Sequence, residues 1–240
     1  MRYLHFGSSW IQGAMRIARP WSLELDYTRD MMAALLLREH ARFPRKVLVV
    51  GLGAASLSKF IYRNRPRAQV CTVEIDPQVV AAARQFFKLP PDDPPHFVVQ
   101  VADGVEHVAR FERALDLLMV DGFDTRGRAG ALDDTPFYLQ ARRALTDRGV
   151  LVVNLLGRSR GYKPSVARIA AAFDDRVVTL QCEGGNVIAF AAVGEAIDRS
   201  FRELREAAAL LREQSGLNLL PTLARLAASP ARRPGDRLVL

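Results

Sequence analysis

Four short apolar runs punctuate the first half of the chain: Val47-Leu48-Val49-Val50, Val70-Cys71-Thr72-Val73, Val98-Val99-Gln100-Val101 and Leu117-Leu118-Met119-Val120. Each is too short for a buried helix and is rich in β-branched residues, so each reads as a strand buried on both faces. Strands are predicted near 47–51, 69–74, 96–101, 116–121 and 149–155. Segments with helical spacing lie between them, near 55–64, 77–87, 104–110 and 134–145. Pro77 suits the first turn of the second of these helices. The alternation predicts a parallel sheet covered by helices on both sides.

The alternation then breaks. After a helix near 164–173, two strand-like runs, 176–181 and 187–192, are joined only by Cys182-Glu183-Gly184-Gly185-Asn186. So short a link makes a hairpin, which adds an antiparallel strand to the sheet. Dinucleotide-binding Rossmann domains usually lack that strand, whereas S-adenosylmethionine-type domains have it. The predicted fold is therefore α/β and Rossmann-like, of the S-adenosylmethionine-type methyltransferase class, with a mostly parallel seven-stranded sheet ending in an antiparallel hairpin strand.

Residues 1–26 are predicted to form a small N-terminal β-flap of short strands at 2–6, 10–16 and 22–25. A helix follows from about Tyr27 to His40, with Met31 and Met32 on its core side. Residues 27–195 form the predicted nucleoside-binding catalytic domain. Residues 196–240 form a helical extension, with helices near 195–213 and 217–228 and a loose tail from Ser229. The flap and the apolar stripe Leu204, Ala208 and Leu211 are candidate homodimer surfaces, although packing onto the protein's own body explains the stripe equally well.

Candidate chemistry sits where the strands end. Gly51 and Gly53 close the first strand, Glu74 the second, Asp103-Gly104 the third and Asp121 the fourth. In an open parallel sheet, ligands bind beyond the carboxyl ends of the strands, where the strand order reverses. The turn Gly51-Leu52-Gly53-Ala54-Ala55-Ser56 lets backbone approach a ligand, but Ser56 replaces the third glycine of the dinucleotide fingerprint. Glu74, 23 residues after Gly51, is placed to accept hydrogen bonds from both ribose hydroxyls. Asp103 could accept from an adenine amine or simply cap the next helix. Asp121 sits at the mouth, where a carboxylate could take a proton from an attacking amine. Asp133 and Asp134 read as caps of the helix opening at Thr135-Pro136.

Composition narrows the classes. The 240 residues suffice for one α/β domain with a small appendage, and 25% charged content is ordinary for a globular protein. No apolar stretch approaches the ~20 residues of a membrane span, and no signal peptide is visible. With only Cys71 and Cys182, both in apolar runs, a disulfide framework is not indicated, and a cytoplasmic enzyme is expected. The net charge of +8 comes from dispersed arginines without an aromatic-interleaved basic stripe, so nucleic acid is not an expected partner. His5, His40, His96 and His107 lack metal-ligand spacing, and no metal is expected.

Taken in order, Trp10-Ile11-Gln12-Gly13, Tyr27, the Gly51 turn, Val73-Glu74-Ile75-Asp76, Ala102-Asp103-Gly104, Val120-Asp121-Gly122-Phe123-Asp124, Phe137-Tyr138 and Gly149–Asn154 resemble the spermidine synthase (polyamine aminopropyltransferase) family over residues 8–192. The resemblance implies transfer of an aminopropyl group from decarboxylated S-adenosylmethionine to a small-molecule amine acceptor, without metal. It implies that Glu74 holds the donor's ribose, Asp103 its adenine, and Gly51, Gly53 and Gly104 its backbone cradle. Asp121 would help to deprotonate the amine, Asp124 would bind the acceptor, and Gln12 and Tyr27 would line the shared pocket.

The chain departs from the family pattern at four places. The glycine turn's acid is replaced by Ala54 and Ala55, an acid near the helix start by Arg29, a proline by Thr125 and a strand-end glutamine by Asn154. Losing acids weakens pairing with a polycation. It also removes repulsion toward the carboxylate of intact S-adenosylmethionine, which leaves two alternatives open. One is methyl transfer from S-adenosylmethionine to an unidentified acceptor; the other is a non-catalytic nucleoside-binding or interaction protein.

Overall fold

The computed structural model describes residues 1–5, 11–39, 43–124, 127–157 and 161–240. In chain order, β1 (Arg2–Leu4) and β2 (Gly13–Met15) pair as an antiparallel flap. The helix α1 (Asp26–Met31) continues as a 3-10 turn over Met32–Leu36. The main body runs β3 (Lys46–Val50), α2 (Ser56–Asn64), β4 (Gln69–Glu74), α3 (Pro77–Phe86), β5 (Phe97–Val101), α4 (Gly104–Val108) and β6 (Leu115–Val120). It continues through α5 (Thr135–Ala144), β7 (Leu145–Leu156), α6 (Lys163–Ala172), β8 (Val177–Gln181) and β9 (Asn186–Ala192). The C-terminal part is β10 (Asp198–Ser200), α7 (Phe201–Ser215), α8 (Leu220–Ala227), β11 (Arg232–Arg233) and β12 (Arg237–Val239).

The seven-stranded sheet has the order β5-β4-β3-β6-β7-β9-β8. The first five strands are parallel, and β9 lies antiparallel to both β7 and β8. From β3 the chain steps outward through β4 and β5, then returns to place β6 on the other side of β3. The order reverses between β3 and β6, and that is where a crevice opens. Side-chain alternation builds two cores. Val47, Val49, Leu117 and Met119 face the layer that includes α2, α3 and α7, while Leu48, Val50, Leu118 and Val120 face α4, α5 and α6.

Met31 and Met32 are fully buried in the first core, as their spacing predicts. Leu204, Ala208 and Leu211 are buried in that same core, so the stripe on α7 is spent on the protein's own body and is not a dimer surface. Other expectations are corrected. Residues 22–25 are not a strand, because the chain bends there to launch α1. The expected ends of the first two strands at Phe6 and Trp10 lie outside the described residues. The helix expected from 195 starts only at Phe201, where a Ser200–Glu203 capping box fixes its first turn. The tail expected to be loose is held, since β12 pairs with both β10 and β11.

The flap sits directly on the sheet's carboxyl edge. A side chain at Gly13 would bring its Cβ to 2.5 Å from the Ala54 Cβ, so β2 can lie this close only as glycine. Beneath it, Lys59 of α2 is 1% exposed and donates to the Phe87 carbonyl at 2.6 Å and toward the Met15 sulfur at 3.5 Å. With no carboxylate among these partners, burial drives its pKa down to about 8.

Candidate active site

The crevice is a cavity of about 1130 Å³, walled by the ends of β3, β4, β5, β6 and β7 and roofed by the flap and the start of α1. All nine residues expected at the site line it: Gln12, Tyr27, Gly51, Gly53, Glu74, Asp103, Gly104, Asp121 and Asp124.

The glycine turn is forced by crowding at the switch point. Gly51 has φ +94°, and a Cβ there would stand 2.3 Å from the Asp121 carbonyl oxygen. Gly51 N–H donates to the Val73 carbonyl at 2.9 Å and Asp121 N–H to the Val50 carbonyl at 2.8 Å, so the sheet's ladder runs past the strand ends. The backbone is thereby brought to the cavity floor. The Gly53 position is more open, 3.4 Å from the Gln12 carbonyl oxygen. Gly104 is pressed against Val50, where a Cβ would come within 2.4 Å of a methyl group.

Glu74 braces this turn. Its Oε2 accepts from Leu52 N–H at 2.9 Å and its Oε1 from Asp76 N–H at 3.1 Å. Each oxygen retains acceptor capacity toward the cavity, as a ribose diol requires. Asp103 does cap its helix: Oδ1 accepts from Val105 and Glu106 N–H at 2.7 and 3.2 Å. Its Oδ2 makes no hydrogen bond among the described residues. Capping therefore occupies one oxygen and leaves the other to a ligand.

Asp121 is held from two sides by neutral donors. Its Oδ1 accepts from the Asn154 amide at 2.8 Å and its Oδ2 from the Tyr27 hydroxyl at 3.2 Å. Part of its surface touches the cavity, yet it lies deep enough for burial to dominate. Burial pushes its pKa up to about 6, with the Glu74 charge adding to the rise and the two hydrogen bonds opposing it. Burial and the adjacent Asp121 hold Tyr27 well above its ordinary pKa, so it remains a donor. Asp121, by contrast, is ionised at neutral pH with a pKa close below it, which suits a general base.

Two residues matter that sequence reading did not single out. Asn186 donates from its amide to Asn154 Oδ1 at 2.8 Å, which fixes Asn154 with its NH2 turned toward Asp121. Asn186 reads in the sequence as the end of a hairpin link. Only the register, with Asn154 opposite Ile188, reveals it two residues along on the same face. Arg128 is the second. Its Nε donates to Asp124 Oδ2 at 2.8 Å and its backbone N–H to Oδ1 at 2.8 Å, so Asp124 stands at the cavity already ion-paired. Asp134 caps α5 as expected, accepting from Phe137 N–H, whereas Asp133 turns away and accepts from Tyr138 and Ser165.

Residues 25–156 match the spermine/spermidine synthase domain model, which takes in every strand end just described. The chain belongs to the spermine/spermidine synthase family. It is a transferase of the polyamine aminopropyltransferase type. It is 33% identical to the polyamine aminopropyltransferase of Neisseria meningitidis over 230 residues, 95% of this chain and 86% of that protein. It is 34% identical to the Chromobacterium violaceum polyamine aminopropyltransferase over 240 residues, 100% of this chain and 90% of the relative. Among solved structures, human methyltransferase-like protein 13 in complex with SAH superposes with a TM-score of 0.70 at 27% identity, covering 80% of this chain and 93% of that one. The α/β fold read from the strand pattern is that of these proteins. Among the described residues no helix is long and apolar enough to cross a membrane.

Proposed function

We propose that the cavity binds decarboxylated S-adenosylmethionine and transfers its aminopropyl group to a small amine, with Asp121 as the base. The observation that carries this reading is the Asp121 carboxylate, buried at the switch point and held by two donors with a pKa of about 6. Relatives named polyamine aminopropyltransferase over nearly the whole chain support the donor and the reaction.

The residues present fit a nucleoside donor. Gly51 and Gly104 clear the floor for it, Glu74 offers an oxygen to each ribose hydroxyl, and the unused oxygen of Asp103 suits an exocyclic amine. When bound, the donor supplies a carbon activated by its sulfonium: the amine nitrogen forms a bond to that carbon, the C–S bond breaks and methylthioadenosine leaves. This chain's residues orient the partners and accept one proton. Asp121 accepts that proton at a carboxylate oxygen, while Tyr27 and Asn154 keep the carboxylate in place. Gln12 closes the cavity from above. The two free thiols, Cys71 and Cys182, accord with work in the cytoplasm.

Methyl transfer from intact S-adenosylmethionine is the second reading. Ala54, 3% exposed, stands in the glycine turn with no acid to repel a donor carboxylate, and the N-terminus of α2 has no side-chain cap. The 27% identical methyltransferase structure bound to SAH supports it too. Calorimetric titration with decarboxylated and intact S-adenosylmethionine, with methylthioadenosine as control, separates the two. Tighter binding of the decarboxylated donor is expected. Tighter binding of the intact donor would favour methylation instead, and no binding by any of the three would remove the nucleoside pocket.

A further inference from the structure

Asn154 is buried with both ends of its amide committed. Its Nδ2 donates to Asp121 Oδ1 and its Oδ1 accepts from Asn186 Nδ2, each at 2.8 Å. An ionised carboxylate only accepts, so it takes the NH2 end of Asn154; the carbonyl end then needs a donor, and Asn186 supplies it. The three side chains form one directed chain, from Asn186 through Asn154 to Asp121. Reversing that direction would turn the Asn154 carbonyl onto Asp121, which can meet it with a hydrogen bond only when it carries a proton. The direction of the amide chain and the protonation of Asp121 are therefore coupled.

The link between β8 and β9 holds Asn186 in place. Asn186 opens β9 opposite Leu156, its carbonyl accepts from Cys182 N–H at 2.8 Å, and Gly185 N–H donates to the Cys182 carbonyl at 3.1 Å. The Gly185 carbonyl oxygen lies against Gly157, where a Cβ would stand 2.5 Å away, so the link is packed down on the end of β7. Gly184, Gly185 and Asn186 all line the cavity. Resting on the reading of Asp121 as base, we propose that Asn186 is a positioning residue of the reaction: by donating, it holds Asn154 with its NH2 on Asp121 and so favours the ionised carboxylate that accepts the proton. It acts through Asn154 and has no bond of its own to Asp121. The other titratable groups that act on Asp121 are Tyr27, which donates from α1, and Glu74, which adds repulsion from the end of β4. The charged residue of the link is Glu183, 3.8 Å from Arg225. None of these four is altered in the test.

Asn186→Asp keeps the shape of the side chain and turns the donor into an acceptor. Asn154 must then offer its NH2 to the new carboxylate and its carbonyl to Asp121. With decarboxylated S-adenosylmethionine and butane-1,4-diamine as substrates, the break in the pH profile of kcat/KM, at about 6 in wild type, is expected to rise by about two units. Turnover at pH 7 then falls about tenfold and recovers at high pH. The new charge also acts through space, and Asn154→Leu separates the two effects: in that background Asn186→Asp is expected to move the break by at least about one unit less. Equal shifts in both backgrounds, or a break that Asn186→Asp leaves in place, would overturn the inference. A second measurement needs no variant. The side-chain amide nitrogen resonances of Asn154 and Asn186 in the wild-type chain are expected to titrate together, with the midpoint of Asp121; Asn186 resonances that stay fixed while those of Asn154 move would overturn the inference as well. Methylthioadenosine binding checks that each variant keeps the pocket, and if Asn186→Asp loses it the wild-type resonances decide. Wild type without turnover, or without a break in this range, would overturn the base reading and this inference together, whereas a wild-type break that Asn186→Asp does not move overturns the inference alone.

Discussion

Replacing Asn154 by Leu removes one of the two donors to Asp121 while keeping the branching and heavy-atom count of the side chain in a site that is 4% exposed. The donor stabilises the ionised carboxylate, and a hydrogen bond to a charged group contributes about 1.5–3 kcal/mol. At 1.36 kcal/mol per pH unit that corresponds to about 1–2 units. The Asp121 pKa should therefore rise from about 6 to about 7–8. At pH 7 the ionised fraction would fall from about nine-tenths to between about a half and a tenth. The assay is the pH profile of kcat/KM, which reports the free enzyme. Its logarithm loses one unit of slope where Asp121 finishes ionising, and that break should move upward in the variant with turnover recovering at high pH. A break that stays near 6 in Asn154→Leu, with methylthioadenosine binding intact, would show that the amide does not tune the titrating group.

Asp121→Asn should slow turnover by about 10²–10⁴-fold yet raise the melting temperature. Because the folded-state pKa is raised from 3.8 to about 6, wild type loses stability as pH rises through that window and does not regain it above. Removing the charge should return about 1–2 kcal/mol at pH 8, or several degrees, after allowing for one misdirected amide hydrogen bond; a lower melting temperature at pH 8 would contradict the sign. Lys59 works in the other direction. Its folded pKa is lowered from 10.5 to about 8, so wild type should gain about 2–3 kcal/mol relative to Lys59→Met between pH 8 and 10.5. Urea unfolding of both proteins at pH 7.5 and 10.5 tests this, and a constant difference would refute it. Gly51→Ala should cost about 2–4 kcal/mol and abolish methylthioadenosine binding, since it combines positive φ with a clash against the Asp121 carbonyl; a urea midpoint equal to wild type would be inconsistent with that crowding.

Much of this architecture is legible in the sequence because its signals are local. A run such as Val47–Val50, unable to be anything but a doubly buried strand, carries its own assignment, and the next residue must then lie at a sheet edge. Gly51, Glu74, Asp103 and Asp121 follow from that rule alone. What escaped reading depends on partners far apart in the chain. The β10–β12 pairing joins Asp198–Ser200 to a tail with almost no strand signal, because two- and three-residue strands form only when a core already holds them. Asn186 reaches Asn154 through the register of an antiparallel pair, 32 residues away. Arg128 sits four residues beyond Asp124, yet its meaning depends on a loop geometry that no periodicity encodes. Residues 22–25 failed for the opposite reason: their strand-like composition serves a bend, because Arg29 takes the Leu23 and Glu24 carbonyls that a neighbouring strand would have used.

The position of the proposed base is itself a long-range property. Tyr27 belongs to α1, and the same short helix carries Asp30, 1% exposed, three residues on. Asp30 Oδ1 accepts from the Thr222 hydroxyl at 2.8 Å and is paired with Arg225, both on α8. A six-residue helix would not hold its orientation unaided, since isolated helices of that length are unstable in water. The burial of Met31 and Met32 and the buried bond to α8 together supply the constraint. A carboxylate removed from water holds α1 only while its hydroxyl and guanidinium partners are in place. The C-terminal helices therefore reach the site through a polar link, from α8 to Asp30 to α1 to the Tyr27 hydroxyl, beside the apolar core they share with α1. Asn154 reaches Asp121 from the opposite side, through the central sheet. The two donors thus depend on different parts of the fold, and Asp121 is set at a pKa of about 6 only when both parts are in place.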